Sequence, residues 1–173
     1  MTFISKDTLL FERMIFFICI MIALAQAGLV LYTPAFSMMS GVFHVSARLI
    51  KFTLTAYLFG FGISQLFYGP LSDRYGRKKI LLVAMFIFCV GCLWTIFSNN
   101  YDGLLLSRII QGVGAGGCMT LSRAILRDSF DGKDYLYAAS FLSAGFAIGL
   151  GVAPIIGGHL LYFFLGNLNL YFY

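Results

Sequence analysis

Charge is confined to a few short stretches of this chain, and between them run apolar segments of about twenty residues or more. Phe52 to Leu71 carries no charged side chain, and neither does Ile80 to Ser98. Wound as α-helix at about 1.5 Å per residue, such runs match the hydrocarbon thickness of a bilayer. The pattern predicts five spans, over 14–38, 52–71, 80–98, 104–126 and 135–161. Residues 1–13 fall outside as a cytoplasmic N-terminus, 14–165 form a transmembrane helical bundle, and 162–173 form an atypical aromatic tail. The connections are short: Asn99-Asn-Tyr-Asp-Gly103 is a turn cluster, 128–134 is polar, and a dense charged loop joins the second and third runs. The expected fold is all-α and integral to the membrane.

Composition closes off the soluble alternative. With 60% hydrophobic residues, 11% charged residues and a mean hydropathy of +0.89, polar side chains are too few to cover a water-exposed surface. The formal net charge of +5 then reports topology rather than a nucleic-acid footprint. If the N-terminus lies inside, Lys6, Arg13, Arg74, Arg77, Lys78, Lys79, Arg123, Arg127 and Lys133 are cytoplasmic, while the outer loops hold Arg48 and Lys51. An odd number of spans puts the C-terminus outside. The run beginning at Met14 outlasts a signal-peptide core and ends without a small-x-small cleavage site, so it reads as the first span. Cys19, Cys89, Cys92 and Cys118 all fall in apolar runs as small fillers. Cys89-Val-Gly-Cys92 has metal-like spacing, but it is mid-span with no second ligand pair, so no metal site is expected. No nucleophile–base pair or phosphate-cradling loop stands out; the reading is not an enzyme, and it carries no cofactor.

Several side chains inside or beside the spans could carry chemistry. Arg108 lies about one turn into the fourth span, with Gln111 and Gly112 after it. A cation at membrane depth costs on the order of 3 kcal/mol on insertion scales. It therefore either snorkels to the outer headgroups or faces a cavity, and Gln111 and Gly112 favour the cavity. Asp73, just past the inner end of the second span, can pair with Arg77 or meet a helix N-terminus; Arg77 can also pair with Asp128. Tyr57, Phe61, Gln65 and Tyr68 share a stripe on the second span, which with Tyr32 would suit an aromatic, drug-like ligand or simply pack. Gly145, Gly149, Ala153 and Gly157 recur every four residues, as do Gly112 and Gly116, so each set lines a face along which another helix can approach closely. Pro154 adds a local kink. No Asp or Glu lies inside a span, and His44 and His159 are poorly placed to replace one as a proton carrier.

Gly69-Pro-Leu-Ser-Asp-Arg-Tyr-Gly-Arg-Lys-Lys79 resembles the loop between spans two and three of the major facilitator superfamily. Three further segments resemble its drug:proton antiporters of the Bcr/CflA type: Leu104 to Gly116 with Arg108, Gln111 and Gly112; Ser122-Arg-Ala-Ile-Leu-Arg-Asp128; and Gly149 to Gly158, with Ala153 where that motif usually has glycine. The resemblance implies a multi-pass protein of the bacterial inner membrane that expels amphipathic, drug-like molecules by alternating access, with the proton gradient as energy source. It implies a cytoplasmic charge relay of Asp73, Arg77 and Asp128 in a loop shaped by Gly69, Arg74 and Gly76. Arg108, with Gln111, Tyr32, Tyr57 and Gln65, would serve protonation or substrate binding in a central cavity. Gly149, Ala153, Pro154, Gly157 and Gly158 would pack against a second half of the transporter and limit leak.

This sequence departs from the pattern at two places. Val30 precedes Leu31-Tyr-Thr-Pro34 where such members commonly carry an acid, and five spans replace the family's twelve. Two alternatives follow: a truncated, non-transporting product that needs another chain for the missing spans, or a metabolite or sugar facilitator of the same superfamily. The segment from Gly149 to Gly158 argues against the facilitator.

Overall fold

A computed structural model describes residues 6–169; residues 1–5 and the end of the aromatic tail, 170–173, lie outside the described residues. The chain is a helical array: α1 (Lys6–Val30), a 3-10 turn (Thr33–Ala35), α2 (Phe36–Val42), α3 (Ala47–Tyr75), α4 (Arg77–Ile96), α5 (Tyr101–Ser129) and α6 (Gly132–Asn169). Five stretches are long and apolar enough to cross a membrane: Phe16–Val42, Ala47–Tyr75, Arg77–Ile96, Tyr101–Ser129 and Gly132–Leu160. Large apolar side chains such as Phe17, Leu66, Phe86 and Ile155 point outward, more than 60% exposed, as lipid-facing positions require.

Local chemistry sets the helix ends. Ser46 caps α3 by accepting from Leu49 N–H, and Asn100 caps α5 by accepting from Gly103 N–H at 2.8 Å. Gly76 alone separates α3 from α4. Its φ of +94° is open to glycine and strained for other residues, so the sharp turn that the loop sequence suggests rests on this position.

The first span is not the continuous helix expected over 14–38. It stops at Val30, passes through the 3-10 turn and resumes as the short α2. Pro34 lacks an N–H and fixes its own φ, so a regular ladder cannot run through it. The carbonyls just before the break are left to other donors: the Thr33 hydroxyl takes the Val30 carbonyl at 2.9 Å. At the other end of the chain, α6 continues to Asn169, inside the segment assigned to the aromatic tail.

The core sits around α5. Of its most apolar stretch 67% is buried, against 17% for α4 and for α6, so it is the helix the others pack around. Glycine makes this possible on two faces. A Cβ on Gly112 or Gly116 would run into α3, at the carbonyl oxygens of Tyr57 and Phe61 respectively, while one on Gly114 would strike the α4 backbone at Phe88. The neighbours answer with Gly60 of α3, against the Ile109 carbonyl, and Gly91 of α4, against the Gln111 backbone. At this separation dispersion and weak hydrogen bonds hold the helices without intervening side chains.

Candidate functional site

Two polar centres stand out against this apolar frame. The first lies where α3, α4 and α5 end or begin together. Arg77 Nη1 meets Asp73 Oδ1 at 2.6 Å, Arg77 Nε donates to Asp128 Oδ2 at 2.8 Å, and a further bond runs from Nη1 to the Ser72 hydroxyl. The two pairings of Arg77 left open by the sequence are thus realised at once, and one guanidinium ties the ends of three helices. Its five fixed donors permit this, where an ammonium would act as a single point charge. Arg74 does not join; it lies exposed over the Tyr75 ring, 5.4 Å from the centroid. The Arg77 side chain is 29% exposed and the carboxylates 63% and 50%. Solvent therefore limits each pair to about 1 kcal/mol or less. A double-mutant cycle of Arg77→Ala and Asp128→Ala should give a coupling of roughly 0.5–1 kcal/mol that shrinks with added salt. Denaturation in detergent reads it, and a coupling above about 2 kcal/mol would mean that the pair is desolvated.

The second centre is Arg108. It is 5% exposed, so it does not snorkel. Nη1 donates to Gln111 Oε1 at 2.8 Å and to the Gly28 carbonyl at 3.2 Å, and the guanidinium lies over the Tyr32 ring, 3.7 Å from its centroid. The Gly28 carbonyl belongs to the last turn of α1, one of the groups orphaned by the break at Leu31. Arg108 therefore caps the C-terminal end of α1, where the helix dipole favours a cation. Gln111 is held in turn by Cys92, whose sulfur accepts from Nε2 at 3.1 Å. Gly28 leaves the room: a Cβ there would meet both Gln111 Nε2 and the Phe88 ring at 3.1 Å. Arg108 Nε has no partner, and among the described residues no carboxylate forms an ion pair with this guanidinium. Among the described residues the centre is a cation held by neutral groups alone, with its buried Nε donor unspent.

Of the residues proposed to line a cavity here, Arg108, Gln111 and Tyr32 come into contact; Tyr57 stands near the guanidinium without bonding to it, and Gln65 does not join them. Tyr57 is 1% exposed, stacks on Phe61 and donates its hydroxyl to the Ala25 carbonyl at 2.7 Å. It is a peg between α3 and α1 and offers no ligand surface. Gln65 is half-buried about 12 Å further along α3 and makes no side-chain hydrogen bond among the described residues. Tyr68 packs on Gly117, completing the reading of that stripe as core. Sequence reasoning missed Gly28, Ala25 and Cys92, which contribute backbone carbonyls and a thiol. The signal available was Pro34, since a helix broken before it must leave carbonyls free.

The stripe on α6 is also differently employed. Gly145 faces Cys19, Gly149 faces Gln26 at 3.0 Å from a notional Cβ, and Gly157 lies against the Leu31 carbonyl. With buried Ala153 these positions pack along α1 of the same chain, from Cys19 to the broken end at Leu31. Pro154 is half-buried, and a Cβ on Gly158 would meet open space. Between α5 and α6 a cavity of about 440 Å³ is lined by Met119, Arg123, Tyr135, Leu142 and Phe146 among others.

Comparison with known proteins agrees with these features. Residues 16–172 match the model of the Major Facilitator Superfamily. The chain is 32% identical to Multidrug resistance protein D of Escherichia coli over 146 residues, 84% of this chain and 37% of that protein. It is 39% identical over 131 residues to an uncharacterized MFS-type transporter, YdgK, of Bacillus subtilis, covering 76% of this chain and 33% of that one. It is 31% identical to a bicyclomycin resistance protein homolog of Haemophilus influenzae over 160 residues, 92% and 39% respectively. The chain thus spans between a third and two fifths of the length of these relatives. With five apolar spans, an arginine-linked turn between the second and third, and a family match along nearly its whole length, the chain belongs to the major facilitator superfamily, a family of membrane transporters rather than enzymes.

Proposed function

We propose that this chain contributes five spans to a proton-coupled exporter of amphipathic, drug-like molecules that works by alternating access in a bacterial inner membrane, with its N-terminus in the cytoplasm. The observation that carries this reading is Arg108: a buried cation beside a discontinuous helix, held by neutral groups and retaining a free donor. Such a group is costly in lipid and is retained where charge enters and leaves. Broken helices whose ends face a cavity are the usual place for that in transporters. The names of the relatives, which include multidrug, bicyclomycin and chloramphenicol resistance proteins, support drugs as the cargo. The N-in orientation rests on the basic residues gathered at one end of the bundle.

In this reading, Arg77, Asp73 and Asp128 hold three helix ends shut on the inner face, and their modest, solvent-screened strength lets the cluster open during each cycle. The described spans contain no interior carboxylate, so the proton-carrying acid belongs to the rest of the carrier. The test uses everted vesicles made from cells expressing the protein from its natural gene, energised to an acid interior and followed with a pH-sensitive dye. Adding a lipophilic cationic drug or chloramphenicol should release protons, and the release should vanish in Arg108→Leu. No proton release with any drug that the host resists would remove the exporter reading.

A further inference from the structure

A cavity of about 180 Å³ lies among α1, α4 and α5, on the far side of Phe88 from Gly28, and is lined by Met21, Ala25, Met85, Phe88, Cys89 and Cys118. Four of these six side chains end in or carry sulfur, and they come from three different helices. The thiols are free: Cys118 is buried, and Cys89 is exposed at the rim on α4. The other two cysteines are engaged elsewhere, Cys19 with the Phe141 carbonyl and Cys92 with Gln111. Cys89 and Cys118 make no hydrogen bond to another side chain among the described residues. The pair at CxxC spacing is therefore split by the helix: Cys92 supports Gln111, while Cys89 lines one cavity with a second thiol and two thioethers that its sequence neighbourhood does not reveal.

We propose that this cavity is a binding site for one soft monovalent metal ion of the Cu(I) or Ag(I) kind, held by the sulfurs of Cys89, Cys118, Met21 and Met85. Thiolate and thioether are the ligands such ions prefer, and the lining offers no oxygen ligand set for a hard divalent ion. Charge is conserved without burying a net ion: as the metal–sulfur bond forms, one thiol gives up its proton to water, and the resulting thiolate cancels the single positive charge. The remaining sulfur ligands are neutral. Methionine side chains are unbranched and flexible enough to close on an ion smaller than the space. A bound ion would join α1, α4 and α5, and Phe88, which lines the cavity and also borders Gly28, would carry its effect toward the Arg108 centre. The proposal is independent of the exporter reading, because binding is measured without transport.

The experiment titrates the intact chain in detergent with Ag(I), which avoids redox cycling, against a thiol competitor that strips adventitious metal. The expected result is one ion per chain, about one proton released per ion, a thermal midpoint raised by several degrees and sulfur-only scatterers in X-ray absorption. Cys89→Ser with Cys118→Ser should abolish stoichiometric binding; Cys19→Ser with Cys92→Ser should retain it. Should the first double variant fail to fold, Met85→Leu decides, since it conserves volume while removing a ligand and should weaken binding about tenfold. Binding that survives loss of Cys89 and Cys118, follows Cys19 and Cys92 instead, or is unmoved by Met85→Leu overturns the proposal.

Discussion

Gly112→Val is expected to prevent the protein from accumulating in the membrane in folded form. A side chain at this position has nowhere to go. Even its first carbon would overlap the Tyr57 carbonyl oxygen of α3, with the Tyr57 carbonyl carbon at 2.9 Å and the Phe61 nitrogen at 3.1 Å. These are backbone atoms, so no rotamer change relieves the contact; the two helices must separate. Separation would also open the neighbouring contacts at Gly60 and Gly116, which depend on the same axial distance. Overpacking of a flexible core costs about 1–3 kcal/mol, and a rigid backbone seam belongs at or above the top of that range. That is a large fraction of the 5–15 kcal/mol that typically separates folded from unfolded states. Gly62→Ala is the matched control: a Cβ there meets nothing within 4 Å, and it should be neutral or stabilising by about 0.5–1 kcal/mol through lost backbone freedom. Size-exclusion profiles and thermal unfolding in detergent distinguish the two. Equal behaviour of both variants would mean that α3 and α5 do not pack backbone to backbone.

The contrast between these two glycines shows what the sequence could and could not disclose. Hydropathy alone predicts the five spans, because lipid rewards continuous apolar length regardless of neighbours. The charged turn was equally legible: Gly76 supplies the positive φ, and Arg77 stands four residues from Asp73. Its reach to Asp128 was one alternative among several, since nothing local says which helix end comes nearest. Small-residue spacing revealed that faces exist, but not which partner each one meets, and so the α6 stripe proved to run along α1 from Cys19 to its broken end. The least legible part was the Arg108 centre. Its acceptors include a backbone carbonyl, which has no letter of its own, and its second layer is a thiol that reads as filler. Pro34 was present in the sequence all along. Its consequence, a helix end left open to receive a cation, needed the chain's path to become visible.

Replacing Arg108 separates the two purposes an intramembrane arginine can serve. Arg108→Leu removes a charge whose insertion costs on the order of 3 kcal/mol, and leaves Gln111 and the Gly28 carbonyl without their donor at about 1–3 kcal/mol each. These effects nearly cancel, so the variant should fold and insert at close to the normal level, with a thermal midpoint within a few degrees of the parent. In the proposed exporter, drug-dependent proton release should by contrast fall at least a hundredfold, because the site at the broken end of α1 would lose the guanidinium that occupies it. Arg108→Lys is the sharper probe. It keeps the charge but loses the planar face set against Tyr32 and the fixed fork that serves Gly28 and Gln111. A cation–π contact is worth about 0.5–2 kcal/mol, and a charge-assisted hydrogen bond about 1.5–3 kcal/mol. An ammonium that keeps its charge near the ring but loses one of the two hydrogen bonds should therefore retain between about a tenth and a hundredth of the parent's rate, with about 1.4 kcal/mol for each factor of ten. The opposite pattern, a severe loss of folded protein in Arg108→Leu with full transport in Arg108→Lys, would make this residue a cap for α1 and nothing more.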